Sequence, residues 1–102
     1  MATCNWSGYQ FTVYTMDGTT WNDVGGVYIF AGLTQGGRWN AYYIGICESF
    51  SDRCPNHERW AEAVRLGATH VHALVVPLEA DRQSIERELI RAWAPPLNIQ
   101  NK

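Results

Sequence analysis

The chain has 102 residues, which fits one domain, and at 46% hydrophobic and 13% aromatic it can bury a small core, which excludes disorder along most of its length. A formal net charge of -2 excludes the strongly basic balance with which an autonomous nucleic-acid binder neutralises phosphates, while leaving room for a local basic patch. An odd number of cysteines (Cys4, Cys47 and Cys54) without a charged-then-apolar leader predicts reduced thiols in a cytoplasmic protein, and no apolar run approaches the roughly 20 residues that span a bilayer.

Phe11-Thr12-Val13-Tyr14 is rich in β-formers and predicts a short strand, followed by a turn at Asp17-Gly18. Val27-Tyr28-Ile29-Phe30 is a continuous β-branched and aromatic run of strand length, and Ala41 to Ile46 is its antiparallel return. Between them, Gly32 to Asn40 reads as a hairpin loop longer than the commonest two to five residues. Ser49 or Ser51 caps a short helical stretch that ends before Pro55. A second helix is expected from about His57 to Leu66, stopped by Gly67. Thr69 to Val76 reads as a further strand, closed by Pro77. Glu79 to Trp93, free of Gly and Pro, reads as a helix ended by Ala94-Pro95-Pro96. These elements predict an α+β fold: a small antiparallel three-stranded sheet flanked by helices, with one further strand available in the N-terminal segment. Residues 1–24 read as an extension and 25–102 as the main unit.

At about 100° per residue, Ile85, Leu89, Ala92 and Trp93 make one apolar stripe on the last helix, with Ile90 at its edge. Glu86 falls on that stripe, whereas Glu88 points away. A carboxylate there must be paired, protonated or bound to a cation. The ordinary solution is a salt bridge to Arg82 or Arg53. His70 and His72 share one face of their strand but have no third metal ligand at useful spacing, so a solvated or hydrogen-bonded pair is expected. Cys47 and Cys54 do not make a zinc pattern and read as structural or incidental thiols.

Gly26-Val27-Tyr28 and Tyr43-Ile44-Gly45 resemble the two signature tripeptides of the GIY-YIG nuclease family, the first in its valine form. Arg53 follows Tyr43 by ten residues and His57 follows Arg53 by four, one helical turn on if that segment is helical. Glu86, with Leu89-Ile90 three residues on, is similar to the family's glutamate motif, and Pro95 and Asn98 to its closing residues. The resemblance runs from about residue 25 to 99, and it turns the reading of Glu86 from ion pair to metal ligand.

The resemblance implies a metal-dependent endonuclease that hydrolyses phosphodiester bonds in DNA, with RNA left open. Glu86 would hold one Mg²⁺ or Mn²⁺. Arg53 would clamp the phosphate with its planar fork. Tyr28 would act as general base or position the attacking water, needing the metal or Arg53 nearby because a phenol titrates near pH 10. Tyr43 would orient the phosphate or the water network, His57 could share proton transfer, and Asn98 would fix local backbone geometry.

Arg38 and Trp39, at the tip of the hairpin, are candidate substrate contacts, with Trp39 alternatively covering the sheet. Asp52 stands where many relatives carry a basic residue, Ile46 and Cys47 where polar or basic residues are common, and Glu48 adds another negative charge nearby. With the acidic net charge, this predicts help from a protein partner or homodimer in reaching substrate. It also keeps a catalytically silent binding module on the same fold as the alternative. Trp6, Tyr9, Phe11 and Trp21 could anchor an assembly through the N-terminal segment.

Overall fold

The structure, a computed structural model, describes residues 2–99. The chain opens with a hairpin, β1 (Thr3–Trp6) and β2 (Tyr9–Thr15), whose turn places Ser7 and Gly8 at positive φ. A second hairpin follows, β3 (Gly26–Leu33) and β4 (Trp39–Cys47), then two short helices, α1 (Phe50–Arg53) and α2 (Trp60–Leu66). The last part is β5 (His70–Val75), α3 (Glu79–Trp93) and α4 (Pro96–Ile99). All strand pairs are antiparallel, in the order β1-β2-β5-β3-β4. No helix among the described residues is long and apolar enough to cross a membrane.

The α+β class is as expected, but the sheet has five strands rather than three. The N-terminal segment supplies two of them, because β1 reads Thr-Cys-Asn-Trp, too short and polar to announce itself except by pairing with β2. The β3–β4 loop is also shorter than expected. β3 runs through Gly32 to Leu33 and β4 begins at Trp39, so only 34–38 remain, with Gly36 and Gly37 in the turn, closed by the Thr34 N–H to Arg38 carbonyl bond at 2.7 Å.

The two faces of the sheet carry separate cores. One holds Val27, Ile29, Ala31 and Ile44 with Trp6 and Phe11, covered by Leu89 of α3. The other holds Tyr28, Phe30, Val71 and Ala73, covered by Phe50, Cys54, Ala63 and Leu97. Trp6 is 2% exposed and Phe11 0%, so these two candidate assembly anchors fill the chain's own core. All three cysteines are free thiols.

Helix α3 keeps its expected bounds, but its buried stripe is rotated. Arg82 and Leu89 are buried, while Ala92 and Trp93 are exposed. At the C-terminal turn Trp93 packs edge-on against Trp6 at 5.0 Å and donates its indole N–H to Ser7 Oγ. On the same core face, the Trp6 indole N–H donates to His72 Nδ1 at 2.9 Å. Burial, then the charge of His70, lowers the His72 pKa to about 4. The neutral ring therefore carries its proton on Nε2, which has no hydrogen-bond partner among the described residues; Trp39 packs edge-on against the same imidazole at 4.4 Å.

Candidate active site

The two signature tripeptides meet through strand register. Tyr28 on β3 lies opposite Gly45 on β4, and the Tyr28 ring lies across that glycine. A Cβ added at Gly45 would come within 2.5 Å of the Tyr28 hydroxyl, so glycine is the residue that lets the phenol lie flat on the sheet. A bulge between Phe30 and Ala31 shifts the register by one residue, which lets both Tyr42 and Tyr43 pack toward the same core. Tyr43 stands beside Tyr28, with ring centroids 6.3 Å apart.

His57 closes over this aromatic floor. Its ring meets Tyr28, Phe30 and Tyr43 at 5.3, 4.9 and 5.2 Å. It is not one helical turn from Arg53: a turn at Cys54–Asn56 intervenes, and α2 begins only at Trp60. Pro55 disfavours helix at the preceding residue, which is why the helical reading fails here.

The protonation of His57 follows from its neighbours. Burial, then the positive charge of Arg53, lowers its pKa to about 4, so the ring is neutral near pH 7. The Arg59 backbone N–H donates to Nδ1 at 3.0 Å. The ring proton is therefore on Nε2, which donates to the Tyr28 hydroxyl oxygen at 2.6 Å. The phenol's own proton is left free to point elsewhere.

Tyr28 is 1% exposed. Burial first, then the neighbouring Tyr43, pushes its pKa well above the usual phenol range, while Arg53 pulls the other way. Tyr43 is also raised, by burial first; Arg53 opposes and the Glu86 carboxylate adds to the rise. Glu86 thus lies within electrostatic reach of Tyr43, although α3 packs on the opposite face of the sheet.

The ordinary explanation for Glu86 is overturned. Arg82 donates to the carbonyls of Val76 and Pro77, both at 3.1 Å. Arg53 donates from Nη1 and Nη2 to the two carboxylate oxygens of Glu58, at 2.7 and 2.8 Å. Among the described residues Glu86 has no ion pair or hydrogen bond, and half-burial raises its pKa, opposed by Arg87. A half-buried, unpartnered carboxylate fits a hard divalent cation that takes most of its ligands from water.

Asn98 is held by α4, a short helix that the Pro95-Pro96 pair conceals in the sequence. Ala94, at φ 44, turns the chain back after α3. The Asn98 amide then accepts from the Ile44 N–H and donates to the Ile44 carbonyl, each at 2.8 Å.

The structure therefore brings Tyr28, Tyr43, Arg53 and His57 together, with Asn98 bracing the strand behind them; Glu86, on the helix of the opposite face, is linked to this group through its charge on Tyr43. Arg38 is exposed in the hairpin loop, and Trp39 packs into the core of the opposite face; neither joins the phenols. Glu58 is the residue the sequence concealed, since a five-residue separation across a turn follows no helical spacing.

Comparison with family models and with curated proteins finds no match. Among solved structures, the chain is similar to the N-terminal GIY-YIG endonuclease domain of UvrC from Thermotoga maritima in three point-mutant forms, each bound to its catalytic divalent cation. An asparagine-to-alanine form shares 26% identity and a TM-score of 0.59, over 74% of this chain and 83% of that one. Two tyrosine-to-phenylalanine forms share 25% and 26% identity, both at a TM-score of 0.58, over 74% of this chain and 84% and 83% of theirs.

Proposed function

The chain belongs to the GIY-YIG nuclease family, and from that membership we propose that it is an endonuclease that hydrolyses phosphodiester bonds in DNA with one divalent cation. The observation that carries this reading is the meeting of a buried phenol, a neutral imidazole and a guanidinium on one face of the sheet, with an unpartnered carboxylate on α3 whose charge reaches Tyr43.

Glu86 would hold the cation, Mg²⁺ or Mn²⁺, which when bound neutralises charge developing on the phosphate and the leaving oxygen. Tyr28 is protonated in the free protein. The Nε2–H of His57 and the charge of Arg53 both favour its phenolate; while protonated, Tyr28 positions the attacking water, and once the phenol has released its own proton to solvent its oxygen can take one from that water. Arg53 offers the phosphate the N–H donors that Glu58 leaves unused. Tyr43 orients the phosphate from the facing strand. Asn98 acts through the Ile44 backbone, between Tyr43 and Gly45, and is a positioning residue. The acidic net charge makes a protein partner or a second copy the route to substrate. A cytoplasmic setting belongs to the same reading, supported by the free thiols.

The test is nicking of supercoiled plasmid by purified protein with Mn²⁺ or Mg²⁺, expected for wild type and lost in Glu86→Ala. If the two behave alike on both DNA and RNA, the enzyme reading fails. A catalytically silent module would then take its place, a reading favoured by the occupation of Arg53 by Glu58.

A further inference from the structure

On the sheet face that carries the phenols lies a recess of about 130 Å³, formed where residues 20–24 and α1 fold over β2 and β5. Its aromatic wall is Trp21, which packs against Tyr14 at 5.2 Å and Phe50 at 6.1 Å. Its polar groups are the side chains of Gln10, Thr12, Thr20 and Asn22. Among the described residues these four side chains make no hydrogen bond to the protein, and no charged side chain lines the recess.

That chemistry selects its occupant. A phosphate or a metal ion would require charge in the lining, and a purely apolar ligand would leave the amides and hydroxyls unmatched. A flat, uncharged ring with hydrogen-bonding groups on its edge meets both the tryptophan and the free polar side chains. In a chain that cuts nucleic acid, that ring is a nucleobase.

Register supplies the position. Gly45, Tyr28, Ala73 and Thr12 lie opposite one another across β4, β3, β5 and β2. Three strand spacings of about 4.8 Å put Thr12 roughly 14 Å from the strand over which the Tyr28 hydroxyl lies. A base a few nucleotides along the strand from the scissile phosphate can lay its face on Trp21 only if it leaves the stack, because inside a duplex both of its faces are covered by its neighbours.

The geometry points to a base-binding subsite at Trp21, Asn22 and Thr12 that takes one unstacked base of the substrate strand, making a single-stranded or locally opened nucleic acid the preferred substrate class. This rests on the nuclease reading above. It also gives residues 1–24 a part in substrate choice, since all three side chains belong to that segment.

The test uses a single-stranded oligonucleotide containing 2-aminopurine, titrated into the full chain in EDTA so that no cleavage occurs. Wild type is expected to quench the 2-aminopurine, and Trp21→Ala to weaken binding at least about fivefold, as loss of base–aromatic stacking would. Asn22→Ala, at an exposed position, keeps the test open should Trp21→Ala fold poorly, and is expected to weaken binding in the same direction. A fully paired duplex should bind all three proteins alike. Absence of quenching by wild type, or unchanged single-strand affinity in both variants, overturns the subsite. Plasmid nicking in Mn²⁺ reads the nuclease proposal separately. Nicking with no effect of either variant on single-strand binding removes the subsite alone; quenching that depends on Trp21 without nicking removes the nuclease and leaves the subsite.

Discussion

The side-chain amide of Asn98 satisfies both backbone polar groups of Ile44, at 2.8 Å each, standing in for a neighbouring strand at one residue of the outermost strand β4. Those two groups point away from β3, and without the amide they lose their partners. Asn98→Ala is therefore expected to destabilise the fold by about 2 kcal/mol, a drop in Tm of roughly 10 °C for a chain of this size. Because Ile44 lies between Tyr43 and Gly45, the same change should lower kcat more than it raises KM. A thermal melt and initial-rate kinetics check this; an unaltered Tm would show the bonds to be dispensable.

Glu58 holds the fork that Arg53 would offer to a phosphate. The pair is partly exposed, so it contributes little to stability, but it offsets the one guanidinium charge nearest the phenols. Glu58→Gln is expected to lower KM for nucleic acid several-fold and to steepen the salt dependence of binding by about one unit of slope. Binding isotherms at several salt concentrations measure both. A raised KM would mean instead that Glu58 serves to aim Arg53.

Acid should weaken the fold over a defined window. His57 and His72 are each lowered to about 4 by burial, against an ordinary value of 6.5. Between those values the unfolded chain binds more protons, so the stability each neutral ring contributes is present above pH 6.5 and is lost as pH falls toward 4. The full effect is about 3 kcal/mol per ring. Glu58, lowered to about 2 by Arg53, adds a loss below pH 4.5, whereas Glu86, raised by burial, works in the opposite sense. Urea unfolding at pH 7 and pH 4.5 should show the decline, and His57→Gln should flatten it. Equal stability at the two pH values would refute the assignment of neutral buried rings.

Much of this was legible in the sequence where a single local rule decides the outcome. The uninterrupted run from Glu79 to Trp93 fixes α3, and Ser49 caps α1, accepting from the Asp52 N–H. The aromatic strands pair as the apolar runs require. What local rules miss is set by tertiary contact. β1 exists because β2 offers it a partner, and Ala92 is exposed although the apolar spacing places it on the stripe. The tripeptides mark Tyr28 and Tyr43, but only register shows why Gly45 faces a phenol, and no periodicity relates Arg53 to Glu58 or Asn98 to Ile44. Residue chemistry at a loop tip points to Arg38 and Trp39, and chemistry alone does not say which way a strand-end tryptophan turns.

Helix α3 is seated on one side of the sheet and the phenols stand on the other, yet the charge of Glu86 is felt by Tyr43. An ion gripped by Glu86 would add to the contacts that already fasten α3 to the sheet, the hydrogen bonds from Trp93 to Ser7 and from Tyr9 to Glu88 among them. Occupancy and the seating of α3 would then rise and fall together: loosening the helix would let the ion go while the rest of the molecule stayed folded, and filling the site would stiffen the helix first.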